Sequence, residues 1–203
     1  RSTSEVPITV PGDRPKLMPQ TIDASEFIQG SSISPTGKRV AVSARGDLWT
    51  APAESGTPRN LTRTSGVAER EPTWSPDGRW IAYFADNTGE YELYLMPSDG
   101  KGEPRKITSD GTSFRTDILW SPDSKKVVLG DKTGAIQLVD IETGTVTPID
   151  RNPWEISMGA ISWSSDSRFI AYARGSDEER TARVWIFDTT TGEKRAVTSG
   201  MFN

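Results

Sequence analysis

A short phrase recurs four times along the chain, beginning at Ser34, Ser75, Ser121 and Ser164. Its fullest form is Ser-Pro-Asp-Gly at 75–78, and successive copies start 41, 46 and 43 residues apart. Short apolar runs that alternate with a period of two surround each copy, which indicates strands rather than helices. A repeat of roughly 40 to 45 residues that carries several short strands is typical of propeller blades. The spacing therefore predicts an all-β fold.

The second repeat shows the predicted layout of one blade. Its four strands are expected to lie near 71–74, 79–84, 91–96 and 104–108. In the turn between the first two strands, Pro76 fixes its own φ near −65°, Asp77 can bond the local backbone, and Gly78 adopts a positive φ at little cost. The second strand is apolar on both faces, as expected for a sheet packed between two neighbouring sheets.

Glycines in a second turn support the same period. The turn between the third and fourth strands contains Gly56, Gly100, Gly144 and Gly192, spaced by 44, 44 and 48 residues. The fold class is therefore predicted to be an all-β β-propeller fragment, with four consecutive four-stranded antiparallel blades of an originally larger ring. The blades are expected at about 27–64, 65–110, 111–151 and 152–199. Ser124 and Ser167 replace the glycine of the first turn, which predicts less rigid turns there.

The two ends of the chain do not follow the repeat. Residues 1–20 contain four prolines and are expected to be a linker or the end of an upstream domain, while 201–203 would start a next blade. Propellers close with about 4 to 8 blades, and closure protects their strand edges. We therefore expect the remaining blades of a larger ring to cover the open edges, or the chain to self-associate through them.

Composition excludes several kinds of activity. The chain has 24 basic and 28 acidic residues, a net charge of −4 and no basic stripe, so nucleic acid is not an expected partner. No apolar run approaches the roughly 20 residues that span a bilayer, so no membrane insertion is expected. The chain contains no Cys and no His. We therefore expect no catalytic residues, no metal site and no cofactor within this chain.

Loops on one end of the blades are the best candidates for binding. In a four-stranded meander, the tight Ser-Pro-Asp-Gly turns lie at one end of the sheet, and the longer second-to-third and fourth-to-first connections lie at the other. Loops on a rigid scaffold commonly carry binding residues. From these connections we select Arg70, Arg115 and Arg151 for carboxylates and Trp154 for apolar contact. The expected ligand is a peptide or a protein partner.

The amino-acid sequence of the repeats resembles that of a known family of propellers. The phrase Trp-Ser-Pro-Asp-Gly-Arg-Trp-Ile-Ala-Tyr at 74–83 is similar to the repeats of Tol-system and tricorn-type propellers. Longer phrases at 34–39, 44–47, 60–67 and 69–70 resemble the second propeller of tricorn-like serine peptidases. This resemblance covers about 6–203. It implies a large peptidase in which propellers gate a chamber, while a separate region with a peptide-binding domain and a Ser/His-based core cuts the peptides.

Two other functions stay open at this point. The chain resembles a Tol-system propeller that binds proteins without a peptidase, and it also fits the cap propeller of a prolyl-oligopeptidase-like enzyme. Under all three hypotheses the chain itself is expected to be inactive, while its parent protein is expected to be a serine peptidase under the first. The resemblance implies a cytoplasmic location, and a periplasmic or secreted location is the alternative.

Overall fold

The computed structural model describes residue 12 and residues 23–156, 158–176 and 181–199. Within these residues the regular structure is sixteen β-strands and one 3-10 turn, Ser25–Phe27. The strands form four antiparallel sheets of four strands, each in chain order, and the sheets make an open arc rather than a closed ring. The prediction of four consecutive propeller blades is therefore confirmed. Apart from residue 12, the segment 1–20 lies outside the described residues, as does the next blade expected to start at 201–203.

The four sheets are called blades 1 to 4, in chain order. Blade 1 contains β1 (Ile28–Ile33), β2 (Arg39–Ala44), β3 (Asp47–Pro52) and β4 (Arg59–Asn60). Blade 2 contains β5 (Glu69–Trp74), β6 (Trp80–Ala85), β7 (Glu92–Pro97) and β8 (Arg105–Lys106). Blade 3 contains β9 (Arg115–Trp120), β10 (Lys126–Asp131), β11 (Ala135–Asp140) and β12 (Val146–Arg151). Blade 4 contains β13 (Ile161–Trp163), β14 (Phe169–Gly175), β15 (Ala182–Asp188) and β16 (Lys194–Ala196).

The recurring phrase closes the hairpin between the first and second strands of each blade. In blade 2, the Ser75 hydroxyl lies 2.6 Å from Asp77 Oδ1 and accepts the backbone N–H of Trp80 at 3.0 Å. The residue at the fourth position of the phrase has a positive φ in every blade, including 75° at Gly78. Because the side chains of the phrase satisfy the turn's own backbone, the same hairpin forms each time the phrase occurs.

The two serines that replace glycine in this turn also join neighbouring blades. Ser124 and Ser167 both have a φ of 62°. The Ser124 hydroxyl accepts the N–H of Asp77, and the Ser167 hydroxyl accepts the N–H of Asp123, each at 3.0 Å. Each serine thus links its turn to the same turn of the preceding blade, a role that the sequence pattern did not suggest. The lower rigidity expected of these turns stays a prediction.

The hydrophobic core lies between blades rather than inside any one of them. One buried cluster combines Ala82 and Leu95 of blade 2 with Trp120 of blade 3, and a second combines Val128 of blade 3 with Ile170 of blade 4. Stacking neighbouring sheets removes both apolar faces of an inner blade from water. Trp74 and Trp120 are 8% and 6% exposed, so these recurring tryptophans are packing residues, as the repeat predicts.

Candidate functional site

The first strands of blades 2, 3 and 4 surround a groove of about 400 Å³. Its walls combine acidic, hydroxyl and apolar groups, among them Glu71, Thr73, Asp117, Leu119, Met158 and Ile161. None of the described residues that line this groove is a lysine or an arginine. A concave, mixed polar and apolar surface framed by strands is the usual form of a binding site.

Irregularities in the first strands shape the end of this groove. The register of β5 against β6 shifts between Arg70 and Thr73, where Glu71 has a φ of 54° and Pro72 is buried. The register of β9 against β10 shifts at the corresponding end, between Asp117 and Arg115. A bulge changes the direction in which a strand presents its side chains, and bulges are frequent next to functional sites. Here they accompany the two carboxylates of the groove, Glu71 and Asp117.

Arg70 lies beside the groove, at the junction between blades 2 and 3. Its guanidinium carbon is 3.8 Å from the ring centre of Phe114 and 4.2 Å from that of Tyr91. One guanidinium N–H donates to the backbone oxygen of Arg115, and the Nε of this half-buried side chain has no hydrogen-bond partner among the described residues. Burial lowers the pKa of Arg70. These aromatic contacts are cation–π interactions, which fix the side chain in place.

Arg115 is in the interior, with only 3% of its surface exposed. Its guanidinium lies 2.7 Å from Asp110 Oδ1 and 3.4 Å from Glu92 Oε2, and its Nε donates to the backbone oxygen of Tyr91 at 3.1 Å. Glu92 also accepts hydrogen bonds from the Thr108 hydroxyl and from the N–H of Gly111. This position favours a structural role for Arg115 over direct contact with a peptide.

Arg151 and Trp154 lie together in the connection from blade 3 to blade 4. Arg151 is the exposed last residue of β12, and its guanidinium is 3.8 Å from the Glu155 carboxylate. Trp154 is 40% exposed, and the inner part of its ring packs against Gly175, where an added Cβ would come within 2.9 Å of the ring. An exposed indole held by one face is a suitable contact for a partner.

The structure therefore groups the four predicted residues into two pairs, Arg70 with Arg115 and Arg151 with Trp154. None of the four is among the residues that line the groove. The groove carboxylates Glu71 and Asp117 were missed by the sequence reasoning. Pro72 offered a signal for the first of them, because a proline within a strand predicts an edge or a bulge.

Neither a metal centre nor a membrane segment is found in the described part of the chain. No group of three or more Asp, Glu, His or Cys residues is placed to hold a metal ion within it. The same residues contain no helix of the length and apolar composition that crossing a bilayer requires. The site is thus described by its shape and by its two carboxylates, Glu71 and Asp117.

Comparison with known proteins identifies the repeat. A family model for the tricorn protease second beta propeller domain matches residues 28–203. The chain is 27% identical over 176 residues to Tricorn protease homolog 1 of Streptomyces coelicolor, a match that covers 84% of this chain and 16% of that protein. The chain thus spans about one sixth of the length of this curated relative.

Solved structures show the same architecture. The tricorn protease crystal structure superposes with a TM-score of 0.73 at 19% identity, covering 88% of this chain and 17% of that one. The crystal structure of TolB from Acinetobacter baumannii superposes with a TM-score of 0.62 at 21% identity, covering 84% of this chain and 43% of that one. At these identities the superpositions show the fold alone.

Proposed function

The chain belongs to the tricorn protease second β-propeller domain family, and on this premise we propose that it is a non-catalytic propeller portion of a larger serine peptidase that admits peptides along its groove. The observation that carries the proposal is the groove between the first strands of blades 2, 3 and 4. Peptidase activity itself is assigned to other parts of the parent protein.

The chemistry of the groove supports a peptide as its occupant. An extended peptide needs hydrogen-bond partners for its backbone and apolar surface for its side chains. Thr73 and Thr116 offer hydroxyl groups, and Leu119, Met158 and Ile161 offer apolar surface. The carboxylates of Glu71 and Asp117, without a basic residue in the lining, favour peptides that carry positive charge.

The four residues predicted from the sequence, which do not line the groove, have a separate place in this proposal. Arg151 and Trp154 are exposed, so we assign to them contact with an arriving peptide or with another domain of the parent protein. Arg70 and Arg115 are assigned a positioning role, because the first is stacked on aromatic rings and the second is buried among carboxylates. Contact between any of the four residues and a partner stays a prediction.

Peptide binding to the isolated chain tests this proposal. Fluorescein-labelled decapeptides of alternating Lys and Ala, or of alternating Glu and Ala, are titrated with the chain and followed by anisotropy. We expect the cationic peptide to bind about tenfold more tightly, because opposite charges meet in the groove. The variant Ala160→Trp, which places an indole in the groove lining, should abolish binding of the cationic peptide.

A matched control separates the groove from the rest of the surface. Ala53 is an exposed alanine of blade 1 that does not line the groove, so Ala53→Trp should bind peptides as the parent chain does. The double variant Glu71→Gln, Asp117→Asn should remove the preference for the cationic peptide. Equal binding by the Ala160→Trp and Ala53→Trp variants would contradict the proposal.

Binding of a protein partner at the same end of the blades is the second candidate function. The fold shared with TolB and the exposed pair Arg151 and Trp154 favour it. A peptide titration that shows no binding at the groove, combined with loss of a domain–domain contact on Trp154→Ala in the parent protein, would support this alternative.

A further inference from the structure

The outward face of blade 4 is the one blade face of its kind that the described residues leave uncovered. Every blade has a small or branched residue at the same place in its second strand, and this residue points toward the following blade. Ala41, Ala82 and Val128 at this place are 0%, 0% and 1% exposed, while Ala171 of blade 4 is only half-buried. Its cross-strand neighbour Ile186 is also half-buried, whereas the equivalent Leu95 is 0% exposed.

A tryptophan from the next blade packs at this place at all three junctions between the described blades, and at two of them its indole N–H has a backbone acceptor. Trp120 packs on Ala82 and Leu95 of blade 2, and its indole N–H donates to the backbone oxygen of Thr73 at 3.2 Å. Trp163 donates in the same way to the backbone oxygen of Leu119 at 3.2 Å. The repeated geometry combines an apolar ring, a small residue beneath it and a single backbone acceptor. This combination distinguishes an indole from other apolar side chains.

Two further polar contacts accompany the indole. At both junctions a serine hydroxyl in the incoming turn accepts a backbone N–H of the preceding turn, from Asp77 to Ser124 and from Asp123 to Ser167. At the junction between blades 2 and 3, the Arg105 guanidinium also donates to the backbone oxygen of Ile141 at 2.7 Å. At the junction between blades 2 and 3, the incoming blade is therefore recognised by three separate polar groups, of which the indole N–H and the serine link recur between blades 3 and 4.

Blade 4 presents the same set of groups around an empty slot. The slot has a volume of about 320 Å³ and is lined by Ser162, Trp163, Phe169, Ala171, Ile186 and Arg195. These are the repeat equivalents of Thr73, Trp74, Trp80, Ala82, Leu95 and Arg105 of blade 2, of which Trp80, Ala82 and Leu95 pack in the cluster shared with blade 3. The Ser162 backbone oxygen is equivalent to the acceptor at Thr73, and the Asp166 N–H is equivalent to that of Asp77. The Arg195 guanidinium is equivalent to that of Arg105.

We propose that the slot on blade 4 is a binding site for a tryptophan side chain, and that its occupant is the first strand of a further blade that ends in Trp-Ser-x-x-Ser. The indole ring covers Ala171 and donates its N–H to the Ser162 backbone oxygen. The second serine of the segment accepts the N–H of Asp166, and a backbone oxygen of the incoming blade accepts from Arg195. This inference does not depend on peptide passage through the groove.

A second copy of this chain is a poorer occupant. The leading strand of blade 1 ends in Ile33, which is 71% exposed, at the place where blades 2 to 4 carry tryptophan. Gly37 stands where blades 3 and 4 carry the linking serine. Blade 1 of another copy would therefore offer neither the indole N–H nor the serine hydroxyl. The polar groups of blade 4 favour a blade with tryptophan at this place.

A fluorine-labelled peptide tests the site directly. The peptide has the sequence of residues 158–168 with 5-fluorotryptophan in place of Trp163, and its ¹⁹F NMR signal is followed as the chain is added. We expect the signal to shift on binding. The variant Ala171→Leu, which fills the slot, should weaken binding about tenfold or more, whereas Ala51→Leu, at a half-buried alanine of blade 1, should not.

Competition and sedimentation complete the experiment. Unlabelled peptides with Ile or 1-methyltryptophan at the tryptophan position should displace the label less well than the parent peptide, because the first lacks the indole and the second lacks its N–H. An unchanged ¹⁹F signal, or equal binding by the Ala171→Leu variant, would overturn the proposal. So would a dimer in sedimentation velocity that the Ala171→Leu substitution dissolves, since the occupant would then be a second copy.

Discussion

Two successive junctions, between blades 1 and 2 and between blades 2 and 3, share a hydrogen bond at the same place but bury side chains of opposite charge beside it. In both, the N–H of a leucine in the third strand donates to a threonine hydroxyl, from Leu48 to Thr62 and from Leu93 to Thr108. Around this shared contact the residues differ. Asp47, Thr64 and Glu69 at the first junction occupy the places that Glu92, Asp110 and Arg115 occupy at the second.

The junction between blades 2 and 3 is a closed charge network. Arg115 and Glu92 are 3% and 4% exposed, and the guanidinium joins Glu92 to Asp110. Thr108 donates its hydroxyl proton to Glu92 and accepts the N–H of Leu93. A buried ion pair is tolerated when hydrogen bonds satisfy its remaining groups, and here they do.

The junction between blades 1 and 2 has a buried acid where its neighbour has a buried base. Glu69 is 3% exposed; its Oε1 accepts from the Thr64 hydroxyl, and its Oε2 has no hydrogen-bond partner in the part of the chain that the structure describes. The Trp74 Nε1 and the Ser43 hydroxyl at this junction are also buried without such partners. Burial raises the pKa of Glu69, and the nearby Asp47 carboxylate raises it further.

The contrast shows that packing rather than charge holds neighbouring blades together. Both junctions bury apolar residues from both of their blades, in clusters that include Ala41 with Trp74 and Ala82 with Trp120. The charged residues differ in sign and still occupy equivalent places. Apolar burial is not directional, so it tolerates such exchanges, whereas a buried charge demands a partner at a fixed place. We therefore expect single charge changes to affect the two junctions very differently.

The largest effect is expected at Arg115. The substitution Arg115→Met removes the cation and leaves the Glu92 carboxylate buried without it, so we expect the free energy of unfolding to fall by about 3 to 5 kcal/mol. Urea unfolding of the chain measures this change. Lys132→Met, at an exposed residue of the same blade, is the control and should change the stability by less than about 0.5 kcal/mol. Equal losses of stability in Arg115→Met and Lys132→Met would contradict a stabilising role for the buried charge network.

The substitution Glu69→Gln is expected to raise the free energy of unfolding, whereas Arg115→Met lowers it. The folded-state pKa of Glu69 lies above the ordinary value of 4.5, so over the intervening pH range the folded chain keeps a proton that the unfolded chain has lost. Stability therefore falls as the pH rises from the unfolded to the folded pKa, and it stays lower above that range. Glu69→Gln should remove this fall and raise the free energy of unfolding at pH 8 by about 1 kcal/mol.

Urea unfolding at pH 4.5, 6 and 8 distinguishes this prediction from a simple change in packing. The gain from Glu69→Gln should be largest at pH 8 and smallest at pH 4.5. The matched variant Glu71→Gln removes a half-buried groove carboxylate two residues away in the same strand, and it controls for the loss of one carboxylate from β5. A stability gain that is constant over the three pH values would argue against a buried, proton-linked carboxyl.

The smallest effect is expected for the glycine variant of Ser124, the serine that links the turns of blades 2 and 3. Ser124→Gly removes the acceptor of the Asp77 N–H, and it also relieves the positive φ of 62°. The two effects oppose each other, so we expect a net loss of about 0.5 to 1 kcal/mol. Ser124→Ala keeps the strained φ and should lose more, about 1 to 2 kcal/mol. Equal stability of the two variants would contradict this account of the link.

Much of the fold was predictable because it is encoded locally and repeated. The Ser-Pro-Asp-Gly turn satisfies its own backbone, so each copy marks a hairpin wherever it occurs in the chain. Trp74 and Trp120 stand directly before this turn in their repeats, and both are buried between blades. The resemblance to the second propeller of tricorn-like peptidases is confirmed by the family match over 28–203.

The candidate site was less predictable, because it depends on contacts between blades. Arg115 was selected as an exposed ligand-binding residue, and its sequence position gave no sign that Glu92, 23 residues earlier, would bury it in an ion pair. The groove carboxylates became visible only once three first strands were brought around a common space. Long-range placement of this kind has no signature in a short sequence window.

The sequence by itself determined the class of structure, the four blades of the described residues and the position of the turn between the first two strands of each blade. These properties follow from local preferences, namely the alternation of apolar residues and the conformations that Pro, Asp and Gly adopt. The tertiary structure decided which charges are buried, which tryptophan covers which blade, and which face is left open. Burial and partnership are properties of two sheets in contact, and they are fixed only when the sheets pack against each other.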